Sequence, residues 1–320
     1  MKVVVYAICK NEEKFVSRWV ASMSEADEII ALDTGSTDNT VRLLKEQKVT
    51  VLSKTYASFR FDKARNDALK ALPLDADICV CTDLDEVFEK GWREKVESAW
   101  DKSVGKLTYR YVHKMDENNV EQLVFMADKI HSRHGWKWIY PVHEVLSRTS
   151  TEPYVIRACN DVRLIHFPDK NKSRADYLPL LQLQVKEYPN EARGYHYLGR
   201  ELLYRAEYAE ALEVLSKYIC FLNTWDEERS ATFRYMAYCC IHLKNGLEDA
   251  YFLSAIAQTP FIREPYVEYA SYLITKAEYD GARHFLKKAQ SITTPSLAFA
   301  MDAPAYNGLV EEMLKSIEGK

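Results

Sequence analysis

The run Ile78-Cys79-Val80-Cys81-Thr82-Asp83-Leu84-Asp85-Glu86 decides the fold, because an apolar, β-prone stretch ends abruptly in three carboxylates. It reads as a buried strand that delivers acids to a sheet edge. Asp83 and Asp85 are two apart, so in extended backbone both side chains point to one side. Hard carboxylate oxygens placed there can share a divalent cation and its attached phosphates. Alone, the same residues equally fit a solvated turn that caps the next helix.

Upstream, strand-like and helix-like units alternate, which is the mark of an α/β sheet with parallel strands. Residues 3–8 (VVVYAI) read as the first buried strand, and residues 13–23 as a helix with Phe15, Trp19 and Val20 on one face. Residues 28–32 (EIIAL) form the second strand. It runs into Asp33-Thr34-Gly35-Ser36-Thr37-Asp38-Asn39-Thr40, where Gly35 permits a tight turn and the polar cluster supplies an N-cap. A third strand is expected over 49–52. Asp62 is expected to cap a helix that passes through Ala64, Arg65, Ala68 and Leu69 and stops at Pro73.

Downstream, residues 106–112 and 122–126 read as a strand pair around a turn at Glu117-Asn118-Asn119. Trp136, Trp138, Tyr140 and the segment Val142-His143-Glu144 follow, and then a strand ending at Leu164-Ile165-His166-Phe167-Pro168. The aromatics fit either a sugar-stacking wall or a strand filling a core. From about Ser173 the period becomes helical. Tyr208 with Ala211, Leu247 with Ala250, and Tyr279 with Ala282 recur at the spacing of tetratricopeptide-like helix pairs; the alternative is an irregular bundle.

The 320 residues suffice for two domains with real cores, and 47% apolar with 28% charged residues is an ordinary globular composition. A net charge of −4 gives no general drive toward nucleic acid or anionic membrane. Seven cysteines without a C-x-x-C pair read as reduced thiols, so a cytoplasmic location is expected. No apolar stretch approaches the roughly 18 residues needed to span a bilayer.

Ile8-Cys9-Lys10-Asn11-Glu12, the run Asp33 to Thr40, Phe61-Asp62-Lys63-Ala64-Arg65-Asn66 and Asp83-Leu84-Asp85-Glu86 together resemble the motifs of glycosyltransferase family 2, whose members have the GT-A fold. The resemblance implies a Rossmann-like, nucleotide-sugar-binding α/β domain over residues 1–170. The helices over 171–320 resemble the tetratricopeptide-like extension of a subset of these enzymes, including the peptide S-glycosyltransferases of some bacteriocin systems. A hexosyl transfer with inversion, dependent on Mn²⁺ or Mg²⁺ and using a UDP-sugar, is what the resemblance implies.

By the same resemblance Ile8, Lys10, Asn11, Asp33, Arg65 and Asp83 surround the nucleotide, Asp83 lies near ribose and metal, and Asp85 is the direct metal ligand. His166 is a further candidate ligand, or simply a satisfied partner after an apolar strand. Inversion needs a base opposite the leaving group, and Glu144 and Glu86 compete for it, Glu144 being preferred. Asp33 could instead belong to its turn, Arg65 to a surface salt bridge, and His143 with Glu144 to a structural pair.

The acceptor is left open between a peptide or protein and a glycan, and a homodimer through the helices is a possible assembly. A sugar nucleotidylyltransferase would open with a glycine-rich phosphate loop, and Ile8-Cys9-Lys10-Asn11-Glu12-Glu13 has no glycine. A non-catalytic scaffold, its helices binding a protein partner, is the remaining alternative.

Overall fold

A computed structural model of the protein describes residues 1–169 and 177–320. The chain divides into two compact units, Met1–Arg174 and Ala175–Lys320. The boundary expected between residues 170 and 171, and the helical onset expected near Ser173, lie outside the described residues.

In the first unit, β1 (Val3–Cys9), β2 (Glu28–Asp33), β3 (Thr50–Ser53) and β4 (Ile78–Thr82) alternate with α1 (Val16–Met23), α2 (Thr40–Glu46) and α3 (Phe61–Lys70). These strands are parallel, with β1 between β2 and β4. Then come β5 (Glu86–Phe88), α4 (Trp92–Ser98), β6 (Val104–Met115), β7 (Glu121–Ser132), β8 (Trp136–Ile139), β9 (Val145–Arg148) and β10 (Val155–His166). The sheet order is β3-β2-β1-β4-β7-β6-β10-β5, and β8 pairs β9 in a separate ribbon. β7 runs antiparallel to β4 and so carries the sheet from its parallel half into its mixed half.

β1 shows why the sequence takes this form. All seven of its residues are buried, and a strand covered on both faces reads as an unbroken apolar run. Val3, Val5 and Ala7 face the side where Val16, Trp19 and Met23 of α1 pack. Val4, Tyr6 and Ile8 face Ala64, Ala68 and Leu69 of α3, on the opposite side. Period two in the strand and an apolar stripe on each helix sandwich the sheet.

Two helix starts differ from expectation. α1 begins at Val16 because Glu13 is drawn into the neighbouring loop: its N–H donates to Asp38 and its carboxylate accepts from Asn39. Asp62 lies inside the first turn of α3, where it pairs with Arg60, and Arg60 occupies the cap position. A carboxylate in the first turn still complements the helix dipole.

Among the described residues of the second unit, eight α-helices follow one another: α5 (Leu178–Glu187), α6 (Ala192–Tyr204), α7 (Tyr208–Ile219), α8 (Asp226–Leu243), α9 (Glu248–Gln258), α10 (Glu264–Thr275), α11 (Tyr279–Ser291) and α12 (Leu309–Ser316). Each packs on its successor, and α6, α8 and α10 also touch in series. Ala211 and Ala282 are fully buried as a helix-pair pattern requires, but Leu247 and Ala250 are exposed. In that middle pair the buried positions are Phe252 and Ala255. Among the described residues no helix is long and apolar enough to cross a membrane. None of the seven cysteines forms a disulfide.

Candidate active site

The loops after β1 and β2 are stitched into one lip at the carboxyl edge of the parallel strands, where α/β sheets bind ligands. Thr34 donates through both its N–H and its hydroxyl to the Cys9 carbonyl. The Asn11 N–H donates to Ser36 Oγ (2.8 Å), and Asn11 Oδ1 accepts from the Thr37 N–H (2.8 Å). Asn11 holds a left-handed φ of 55°, a conformation asparagine tolerates better than most residues. Asp33 is 4% exposed and its carboxylate accepts the Gly35 and Ser36 N–H groups, so it fixes its own turn. Ile8 is buried in the core under α3, and Lys10 is exposed.

Beyond Thr82 the chain does not stay extended. The Glu86 N–H donates to the Asp83 carbonyl (3.1 Å), and the Asp83 N–H donates to Glu86 Oε2 (2.9 Å), so residues 83–86 close a turn. Asp83 and Asp85 therefore are not two positions of one extended strand, and they have different partners. Asp83 Oδ1 accepts from Arg65 Nη2 (2.6 Å), and its Oδ2 faces Lys129 Nζ (3.3 Å). Asp85 Oδ2 lies 3.2 Å from His166 Nε2. The Phe167 N–H donates to the Asp85 carbonyl (2.7 Å), which ties this turn to the end of β10, where His166 emerges.

Arg65 is buried rather than at the surface. Besides Asp83 it donates from Nε to Glu144 Oε1 (2.9 Å) and from Nη1 to the Thr82 carbonyl (3.3 Å). Burial opposes its charge, yet Asp83 and Glu144 hold the guanidinium protonated. Burial likewise opposes ionisation of Asp83, but Arg65 and Lys129 outweigh it and hold that carboxyl well below the usual range. Lys129 also lies 3.6 Å from Glu86. Glu86 is 1% exposed, burial raises its pKa, and it anchors the turn from inside; an acceptor has no approach to it there. The Glu144 side chain is 10% exposed, against 2% for that of Glu86.

The segment that carries Glu144 joins β8 to β9 and is gripped from α3. Asn66 Nδ2 donates to the Trp138 carbonyl (2.8 Å), and the Trp138 N–H donates to Asn66 Oδ1 (2.9 Å). The Phe61 N–H donates to the Pro141 carbonyl (3.0 Å). Within the segment Tyr140 and His143 hold φ of 76° and 50°. Such conformations cost on the order of 1–3 kcal/mol each for non-glycine residues and persist only when the surroundings over-determine them.

Trp136 and Trp138 are 7% and 3% exposed and belong to the core, not to a sugar-stacking wall. Trp138 Nε1 donates to the Tyr6 hydroxyl (2.9 Å), which meets His131 Nε2 (2.8 Å). His131 Nδ1 faces the Ser132 carbonyl (2.8 Å) and must donate to it, so Nε2 accepts from Tyr6.

Three residues without a role in the sequence reading enter the site: Lys129, Asn66 and His113, whose ring stacks on His166 at 5.0 Å. Asn66 lies within the motif that contains Arg65, which is a usable signal. Lys129 becomes relevant only because β7 pairs with β4, a pairing that local sequence does not encode.

A Rossmann-like parallel half extended by antiparallel strands, with acids at the switch between them, is the GT-A fold. Residues 4–159 match the family model described as glycosyl transferase family 2. The matched residues lie within the N-terminal unit and make up most of it. No curated protein matches the chain. Among solved structures, Staphylococcus aureus TarS is 14% identical, with 78% of this chain and 55% of that chain covered at a TM-score of 0.48. Glucosyl-3-phosphoglycerate synthase from Mycobacterium tuberculosis, in complex with Mn²⁺, UDP and glucosyl-3-phosphoglycerate, is 22% identical, with 34% of this chain and 43% of that chain covered at a TM-score of 0.30. The same enzyme is also similar in its complex with Mg²⁺ and UDP. The chain spans about half the length of these structures.

Proposed function

We propose that the protein transfers a hexose from a UDP-sugar to an acceptor with inversion, dependent on Mn²⁺ or Mg²⁺. The observation that carries this reading is the division of labour among the acids. Asp83 is held by two cations, Glu86 is buried beneath the turn, and Asp85 is left facing an imidazole at the crevice.

Asp85 and His166 fit a divalent ion, offering one carboxylate oxygen and one ring nitrogen from partly exposed side chains. Among the described residues no three His, Cys, Asp or Glu side chains converge as a ready-made metal cage. Asp85 and His166 would hold the ion, with the donor's diphosphate supplying further oxygens. When bound, it neutralises the charge that builds on the leaving diphosphate.

The chain's own residues do the rest. The lip built from Lys10, Asn11 and Asp33 receives the nucleotide. Arg65 holds Asp83 and Glu144 on either side of one guanidinium. Glu144, held through a hydrogen bond from Arg65 Nε, takes the proton of the attacking acceptor. The acceptor is a peptide, protein or glycan.

The test is calorimetry with UDP and a UDP-sugar panel, with and without Mn²⁺, alongside detection of free UDP from slow donor hydrolysis. Mn²⁺-dependent UDP binding and UDP release are expected. Asp85→Ala should abolish both while leaving thermal unfolding nearly unchanged. Full activity in a folded Asp85→Ala protein overturns the metal assignment, and equal UDP binding with and without Mn²⁺ overturns the shared site.

A further inference from the structure

Glu144 and the strand-end acids are far apart in sequence, and α3 is what joins them. Three consecutive contacts run along this helix. At its first residue the Phe61 N–H holds the Pro141 carbonyl. Arg65, a turn later, holds Glu144 and Asp83 together. Asn66, next to it, holds Trp138 through both backbone groups, as an adjacent strand would. The β8 edge is thereby closed by one side-chain amide, whose donor and acceptor match the carbonyl and N–H of a single residue.

The segment so held is not one that keeps its shape unaided. Two bulky residues, Tyr140 and His143, have left-handed backbone within four positions. Without outside contacts both would relax toward ordinary φ, and Glu144, one residue beyond His143, would move with them. The Trp138 side chain is fixed separately by the Tyr6 hydroxyl, so the tryptophan ring anchors the start of the segment from below while Asn66 fixes its backbone from the side.

We infer that Asn66 is a positioning residue for catalysis: through the Trp138 backbone it sets the location of the Glu144 carboxylate relative to the Asp83–Asp85 turn. The inference rests on the reading of Glu144 as base. Asn66 touches no reacting atom. Its effect is confined to the chemical step and passes through Glu144, whereas donor affinity, governed by the β1 and β2 loops and the Asp85 side, does not depend on it.

The experiment is a double-mutant cycle on hydrolysis of UDP-glucose with Mn²⁺, using wild type, Asn66→Ala, Glu144→Gln and the double variant of the full chain. Calorimetry of UDP with Mn²⁺ and amide hydrogen exchange over residues 139–145 accompany it. Asn66→Ala should lower kcat by roughly 10- to 100-fold, the scale of a misplaced catalytic group. It should change UDP affinity less than about threefold and speed exchange in 139–145.

In the Glu144→Gln background the same substitution should cost no further rate, because a misplaced base cannot be lost twice. Asn66→Asp keeps the acceptor for the Trp138 N–H and loses the donor, so it should fall between the two; it also serves if Asn66→Ala does not fold. Losses that multiply in the double variant, or a UDP affinity that falls as far as kcat, overturn the positioning role. A wild-type rate for Glu144→Gln alone overturns the base reading itself, and that is read from the single variant without reference to Asn66.

Discussion

Replacing Arg65 by methionine tests the charge arrangement directly. The side chain keeps its length and apolar stem but loses the guanidinium, leaving Glu144 without its 2.9 Å partner and Asp83 with Lys129 alone. A hydrogen bond to a charged group is worth about 1.5–3 kcal/mol net. The Glu144 bond counts nearly in full, since that carboxylate is 10% exposed. The Asp83 bond is discounted, because Asp83 is 35% exposed and retains Lys129. The expected loss is about 3 kcal/mol, at the lower edge of the range for breaking a buried ion pair.

Urea unfolding followed by tryptophan fluorescence reads this well, as five of the six tryptophans lie in the N-terminal unit and only Trp225 in the helices. Acid gives a second readout. The depressed Asp83 pKa contributes stability above the ordinary carboxylate range that is lost as pH falls through it, so wild type should lose more on acidification below about pH 4 than Arg65→Met does. Arg65→Lys should recover at most part of the loss, because one ammonium cannot reproduce the fork that spans both acids. A loss under about 0.5 kcal/mol at pH 7, the size of an ordinary surface substitution, refutes the claim that Arg65 holds the site together.

Glu144→Gln should keep UDP and Mn²⁺ binding, since the amide oxygen still accepts from Arg65, and should lower turnover on a hydroxyl acceptor by roughly 10²- to 10⁴-fold. The penalty should shrink on a thiol acceptor as pH rises through the thiol's titration. His131 is fully buried, and burial pushes its pKa down to about 4. Below pH 6.5 the unfolded chain takes up the proton first, so wild type should lose about 3 kcal/mol relative to His131→Asn between pH 6.5 and 4, measured by urea unfolding at each pH. In the helical unit, a Cβ at Gly199 would meet Leu215 Cδ2 at 2.4 Å. Gly199→Ala should therefore destabilise that unit by about 1 kcal/mol in melts followed by helical circular dichroism, overpacking outweighing the gain in helix propensity.

β1 and β4 were legible because burial on both faces leaves an unbroken apolar run, whereas the partly exposed β3 was legible from its place in the strand–helix alternation. The turn around Gly35 and the strand pair of β6 and β7 were legible from turn chemistry. What escaped shares one cause. β5 and α4 are short, and their residues are fixed by partners far along the chain, such as Ser22 on Phe88 and Glu25 on Gly91. The different partners of Asp83 and Asp85 follow from a turn whose closing bonds involve a buried Glu86. The pairing of Arg65 with Glu144 spans 79 residues. Sequence named nearly every residue type the site needs, and tertiary structure decided which carboxylate faces a cation and which is left open.

That last decision has a consequence in charge. From Glu86 through Lys129, Asp83 and Arg65 to Glu144, acids and bases alternate, each neighbour within 3.6 Å of the next. Four carboxylates, Asp85 included, stand against two cations and leave a formal charge of −2. The series ends on Glu86 and Glu144, each with one basic neighbour, and Asp85 stands outside it beside His166. In the proposed reaction the divalent ion arrives at Asp85 and the acceptor's proton at Glu144. The fixed cations cannot serve either role, since Arg65 and Lys129 are both held protonated by the acids around them.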